Sequence, residues 1–77
     1  MKNLVEIIAR ALVSKPDEVS VTEEVNGNEV LVKLRVADDD IGKVIGKSGR
    51  IAKAMRTVVK AAAIRQNIRV TVEIVED

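Results

Sequence analysis

Asn26-Gly27 lies between two runs in which valine and leucine alternate with polar residues, and this arrangement most limits what the chain can fold into. Both positions tolerate positive φ, so the pair reads as the two-residue turn of a β-hairpin. Val19, Val21 and Val25 mark an apolar face before the turn, and Val30, Val32, Leu34 and Val36 continue it afterwards. Residues 18–36 are therefore expected to form a hairpin with one face toward a core and Lys33 and Arg35 on the other. The rest of the chain has to cover the apolar face.

Leu4, Ile7, Ile8, Ala11 and Leu12 recur at helical spacing, which predicts an amphipathic helix over 2–13. Ser14-Lys15-Pro16-Asp17 ends it, because proline disfavours helix at the residue before it. Asp38-Asp39-Asp40 suits a helix N-terminus, where carboxylates cap free amides and meet the positive dipole end. Ile41–Ile45 gives a helix of little more than one turn, which Gly46-Lys47-Ser48-Gly49 breaks. A long helix is expected from about Ser48 to Gln66, with an apolar arc of Ile51, Ala52, Met55, Val58, Val59 and Ala62. Asn67 stops it, and Ile68, Val70, Val72 and Ile74 alternate as a final strand. The order is αββααβ. The last strand–helix–helix–strand connection is long enough for a right-handed parallel crossover. The fold class is thus α+β, a three-stranded mixed sheet with its helices on one face. A chain of 77 residues and 8.4 kDa, with no linker, repeat or low-complexity tract, is expected to be one domain with a small core.

Composition removes most chemistry. With no Cys there is no disulfide scaffold or thiolate zinc site, and with no His the commonest general base and metal ligand are missing. Ser14, Ser20 and Ser48 have no base to activate them, and the side chains of three consecutive aspartates diverge, so capping explains them better than Mg²⁺. No catalytic residue, metal or cofactor is expected. Glu6 and Arg10 interrupt the apolar N-terminal residues before any targeting segment forms, and no run is long enough to span a membrane. A reduced, cytoplasmic setting is the expectation.

The net charge of +1 conceals a strong asymmetry. Residues 1–40 carry five basic and nine acidic side chains. From Ile41 to Val72 there are eight basic residues (Lys43, Lys47, Arg50, Lys53, Arg56, Lys60, Arg65 and Arg69) and no acidic one. Such a stretch is either a solvated face or a surface that meets phosphates.

The glycines inside this stretch discriminate between phosphate-binding designs. Gly42 to Ser48 has three residues between its glycines where a P-loop needs four, and it follows a short helix rather than a strand. There is no Gly-x-Gly pair, so a dinucleotide fingerprint is absent. Gly46-Lys47-Ser48-Gly49 fits a tight helix–loop–helix junction instead. Two glycines let a backbone approach closely, the following helix start attracts an anion, Lys47 adds charge and Ser48 a donor. A plain sharp turn would use the same glycines.

Val44-Ile45-Gly46-Lys47-Ser48-Gly49-Arg50 resembles the GXXG core of a KH domain, and the αββααβ order is that of the type II form. The likeness spans the chain, and the run from Gly42 to Ala63 is similar to the small bacterial single-KH proteins of the KhpA family. One position departs from the general pattern: Ala52 stands three residues after the second glycine, where a branched aliphatic is usual, and Ile51 comes one earlier. The resemblance implies a groove for about four single-stranded nucleotides, clamped through their backbone by Gly46, Lys47, Ser48 and Gly49. It further implies an apolar wall from Ile41, Val44 and Ile45, with Lys43, Arg50 and Lys53 reaching flanking phosphates. Such a groove works without aromatic residues, of which the chain has none. By resemblance the partners are single-stranded RNA, a second copy, and a larger KH-containing protein of the KhpB, Jag or EloR type. An RNA-chaperone role and links to cell-wall homeostasis and cell shape come with the family. A dimerisation adaptor, with RNA contact incidental, is the competing expectation.

Two further sets of residues have both a bland and a functional reading. Lys33, Arg35 and Arg69 on the outer sheet face are either solvated or touch RNA. Ile64 falls among Arg50, Lys53 and Lys60, opposite Met55 and Val59, with Ala61 beside it. It is either a lone exposed aliphatic or, with Ala61, a partner interface.

Overall fold

The hairpin turns one residue later than the asparagine–glycine pair predicts: Gly27 and Asn28 form the two-residue turn, and Asn26 still belongs to the first strand. β1 (Ser20–Asn26) and β2 (Glu29–Arg35) pair antiparallel, with Asn26 opposite Glu29 and Val21 opposite Leu34, and Gly27 adopts φ +65°. In this computed structural model, which describes residues 1–76, β3 (Arg69–Ile74) lies on the other side of β2 and runs parallel to it. The register sets Val30 beside Val70 and Val32 beside Val72, and the sheet order is β1-β2-β3. The mixed sheet expected from the sequence is present.

Alternation puts Val21, Val30, Val32, Leu34 and Val72 on one face, and all five are buried. Three helices cover that face: α1 (Lys2–Leu12), α2 (Ile41–Ile45) and α3 (Arg50–Arg65). Single 3₁₀ turns at Pro16–Glu18, Asp38–Asp40 and Lys47–Gly49 join the elements. Val5 of α1, Val44 of α2, Val59 of α3 and Val32 and Leu34 of β2 meet in one core without an aromatic ring. Each such fully buried side chain contributes roughly 1.5–3 kcal/mol, so branched aliphatics carry most of the hydrophobic stabilisation.

Both long helices are rotated relative to the expected faces. In α1 the buried residues are Val5 and Ala9, with Leu4, Ile8 and Leu12 at the margins, while Ile7 is 67% exposed and Ala11 is exposed. In α3 the buried row is Ala52, Met55, Val59 and Ala63; Ile51 and Ala62 are half-buried and Val58 is 50% exposed. Small side chains explain the rotation. Ala9, Ala52 and Ala63 let helix backbone close on its neighbours, so alanine is selected for the tightest contacts and bulkier aliphatics move to the flanks.

The aspartate run also departs from expectation. Asp38–Asp40 forms its own 3₁₀ turn, and no side-chain cap hydrogen bond is made at its start or at the start of α2. Asp40 instead points into the protein, where it is fully buried.

Candidate nucleic-acid interface

α2 stops because Gly46 leaves helical space at φ +77°, ψ 175°. Ser48 follows at φ +58° and Gly49 at φ +74°, so three of the four loop residues have positive φ. The Ile51 side chain lies against Gly46 so closely that a Cβ there would meet Cγ1 of Ile51 at 2.6 Å. Ile51 is half-buried against Gly46, while Ala52 turns into the core. Inside the loop, the Gly49 amide donates to the Gly46 carbonyl (3.2 Å). The side chains of Lys47 and Ser48 are exposed at the tip. Among the described residues their amides bond to no other segment, and the leading amides of a helical turn have no partner within it.

The loop is aimed by an anchor behind it. Asp40 Oδ1 accepts from the Ser14 amide (3.1 Å) and the Ser14 hydroxyl (2.6 Å), and Oδ2 accepts from the Lys15 amide (3.0 Å). Lys43 Nζ donates to Ser14 Oγ (2.8 Å) and lies 3.5 Å from Oδ1. This cluster ties the segment after α1 to the first turn of α2, the helix that ends in the loop. Hydrogen bonds from Ser14 hold the Asp40 carboxyl down at about 2, against an ordinary value of 3.8. Because the folded value is the lower one, the stabilisation is complete above pH ~4 and is lost as pH falls toward 2. Asp40→Asn should therefore lower stability at neutral pH and flatten the acid limb of a stability–pH curve between those values. An unchanged acid limb in that variant would remove Asp40 as the anchor.

The structure places the other expected residues unevenly. Lys47, Ser48, Arg50 and Lys53 are exposed around the loop and the first turn of α3. Ile41 and Ile45 are half-buried beside it. Val44 is fully buried, so it backs the wall rather than lining it. Lys43 is exposed but committed to Ser14 and Asp40. Ala61 and Ile64 lie about one and a half helical turns or more beyond Met55 on the outer side of α3, Ile64 being 68% exposed. Lys33 pairs with Glu24 at 3.7 Å and Arg69 with Glu29 at 3.9 Å across the outer sheet face. Lys47, Arg50, Lys53, Lys60 and Arg65 make no ion pair among the described residues.

Arg56 was not among the expected site residues. Its Nε donates to the carbonyl of Val72 (3.2 Å). In a parallel ladder each residue turns both backbone groups to the same side. Arg69 and Val75 donate toward the β2 side, so Val70, Val72 and Ile74 turn theirs to the open edge of β3. Arg56 thus lies across that edge. The signal for it in the sequence is spacing: Lys53, Arg56 and Lys60 share one helical face.

Among the described residues no group of three or more acidic side chains is placed to hold a metal, and no helix is long and apolar enough to cross a membrane. Comparison with known proteins matches residues 2–74 to the model of the KhpA/KhpB KH domain. "RNA-binding protein KhpA" of Clostridium perfringens is 59% identical over 97% of the chain and 100% of the relative's length. Its counterpart in Clostridium acetobutylicum is 57% identical with the same coverage. Among solved structures, Era in complex with MgGDPNP and nucleotides 1506–1542 of 16S ribosomal RNA superposes with a TM-score of 0.64 at 19% identity. That match covers 95% of this chain and 28% of Era, and it shows a shared fold.

Proposed function

The chain belongs to the KhpA/KhpB KH-domain family, and on that premise we propose that it is a non-catalytic single-stranded RNA-binding protein whose Gly46–Gly49 loop clamps the sugar-phosphate backbone. The observation that carries the reading is the loop itself. Three positive-φ residues expose Lys47 and Ser48 at the head of α3, in a stretch without a carboxylate from Ile41 to Val72. A phosphate there meets leading amides, a hydroxyl and an ammonium, with Arg50 and Lys53 beside it. Ile41 and Ile45 give the bases an aliphatic surface. Nothing in this arrangement performs bond chemistry.

If backbone contacts dominate, log affinity for single-stranded RNA falls linearly with log salt, by roughly 0.7 per phosphate neutralised. Two to four contacts correspond to a slope of about −1.4 to −2.8. A flat response in a binding titration would sink the clamp and favour the adaptor reading.

Assembly is the second part of the proposal, and the outer face of α3 favours it. Ala54, Val58, Ala61 and Ile64 are all exposed there, a row of small and aliphatic side chains flanked by Arg50 and Arg65. We place the contact with a second copy, or with a larger KH-containing protein, on this face. Ile64→Glu should give a folded monomer that keeps RNA binding but loses the avidity of paired grooves. Sedimentation decides it: a wild type that stays monomeric at high concentration, or a variant that stays dimeric, leaves Ile64 a lone exposed aliphatic. The RNA-chaperone role, the cytoplasmic setting and the links to cell-wall homeostasis and cell shape are carried by the family resemblance.

A further inference from the structure

We propose that Ser14 and Lys43 are positioning residues for the glycine loop: the Lys43 ammonium stays on the Ser14 hydroxyl instead of meeting a phosphate, and this link sets the direction in which α2 presents the clamp. This inference rests on the loop reading above. α2 has five residues, a single turn that cannot hold a direction through its own hydrogen bonds. Val44 is buried in the core and Ile41 and Ile45 are half-buried, so one side of the turn is packed. Packing on one side leaves the turn free to rock about that contact. Asp40 and Lys43 share another face, and both bond back to Ser14. The loop begins at Gly46, where α2 ends, so any tilt of α2 displaces Lys47 and Ser48 directly.

The bonding in this link runs one way. The Ser14 hydroxyl has a single proton, which it gives to Asp40 Oδ1 at 2.6 Å, so its oxygen is left to accept from Lys43 Nζ at 2.8 Å. Each bond polarises the other. The same ammonium lies 3.5 Å from a fully buried carboxylate, and among the described residues no other cation pairs with Asp40. Lys15 Nζ is taken by Asp39 at 3.1 Å. Drawing Lys43 onto a phosphate would strip the hydroxyl of its donor and move the counter-charge away from a buried anion. Lys47 and Lys53 have no ion pair to lose and meet a phosphate without that penalty. On this reading Lys43 leaves the residues that flank the RNA and works behind the loop.

The test measures affinity for a single-stranded RNA homopolymer by fluorescence anisotropy across a salt series, at a temperature where circular dichroism shows the variants folded. Ser14→Ala removes the hydroxyl and no charge, and it leaves both backbone amides on Asp40. It should bind roughly three- to tenfold more weakly than wild type, the scale of one net hydrogen bond. Ser14→Thr, which keeps a hydroxyl, should restore most of that loss. Lys43→Met keeps the aliphatic stem and should weaken binding by a similar factor with the wild-type salt slope. The double variant Ser14→Ala, Lys43→Met should be no weaker than either single one, because both remove the same link. Lys53→Ala, by contrast, should flatten the slope by roughly 0.7, as the loss of one phosphate contact requires. A Ser14→Ala variant that melts lower yet binds as wild type does gives Ser14 a structural role only and overturns the proposal. A Lys43→Met variant whose slope flattens by roughly 0.7 makes Lys43 a phosphate contact and equally overturns it. Should Lys43→Met not fold, the Ser14 variants decide alone. Failure of the loop reading looks different, because Lys47→Ala then keeps the wild-type affinity and slope.

Discussion

A protein carrying both Lys47→Asp and Ser48→Asp should fold as the wild type does and bind single-stranded RNA roughly thirtyfold more weakly or worse. The two substitutions put carboxylates where the proposed clamp would hold a phosphate, and like charges brought together at an interface cost on the order of 2 kcal/mol or more, which sets that factor. Folding is spared for a structural reason. Both side chains are exposed, and the one at φ +58° becomes an aspartate, which tolerates left-handed space better than most residues. Circular dichroism establishes the fold and an anisotropy titration reads the affinity. Undiminished binding by the folded double variant removes the loop from the interface.

Among the loop glycines the largest loss of stability should come from Gly46→Ala, and the others should grade away from it. At Gly46 a Cβ meets Ile51 at 2.6 Å in a backbone conformation that is nearly exclusive to glycine. Strain and displacement of Ile51 together should cost about 2–4 kcal/mol, or a fall in Tm of roughly 10–25 °C for a domain of this size. Gly49 also has positive φ but faces open space, so Gly49→Ala should cost only about 1 kcal/mol. Gly42 lies within α2 with nothing near a new Cβ, and Gly42→Ala should stabilise by about 0.5–1 kcal/mol. Thermal melts of the three variants should therefore differ in sign as well as size. Equal losses at Gly46 and Gly49 would mean that the contact with Ile51 does not matter.

The parts of this fold that were legible in the sequence are those fixed by local chemistry. Gly27 marks the hairpin, although the two-residue turn is Gly27-Asn28 rather than Asn26-Gly27 and the register moves with it, and strict alternation decides which face of β2 and β3 is buried. The loop glycines likewise declare a break that other residues resist. Helix rotation was harder to read. Aliphatics occupy more than half of the circumference of α1, so Val5 and Ile7 compete for the core and periodicity alone does not choose. The choice is made by Ala9 and Ala63, whose small size counts for little in a hydrophobic pattern but decides how closely backbones approach. Asp40 was misread for a related reason. Its partners, Ser14 and Lys15, stand about 25 positions earlier, and nothing local separates a carboxylate that caps the next helix from one that holds a distant loop. Arg56 acts through the Val72 carbonyl, 16 residues later, and is equally silent in the sequence.

The parallel pairing of β2 with β3 dictates an order of assembly. Glu29 and Arg69 are neighbours in the ladder although forty residues separate them, whereas the hairpin closes across two. Loop closure over the longer span is entropically costlier, so β1 and β2 meet first and β3 docks late. Until it docks, β2 has an unpaired edge and the core lacks Val72. As the chain leaves the ribosome, the glycine loop is therefore synthesised well before the sheet that supports it exists. A chain cut short before Arg69 should therefore lack both the partner of β2 and the Val72 side chain that completes the core.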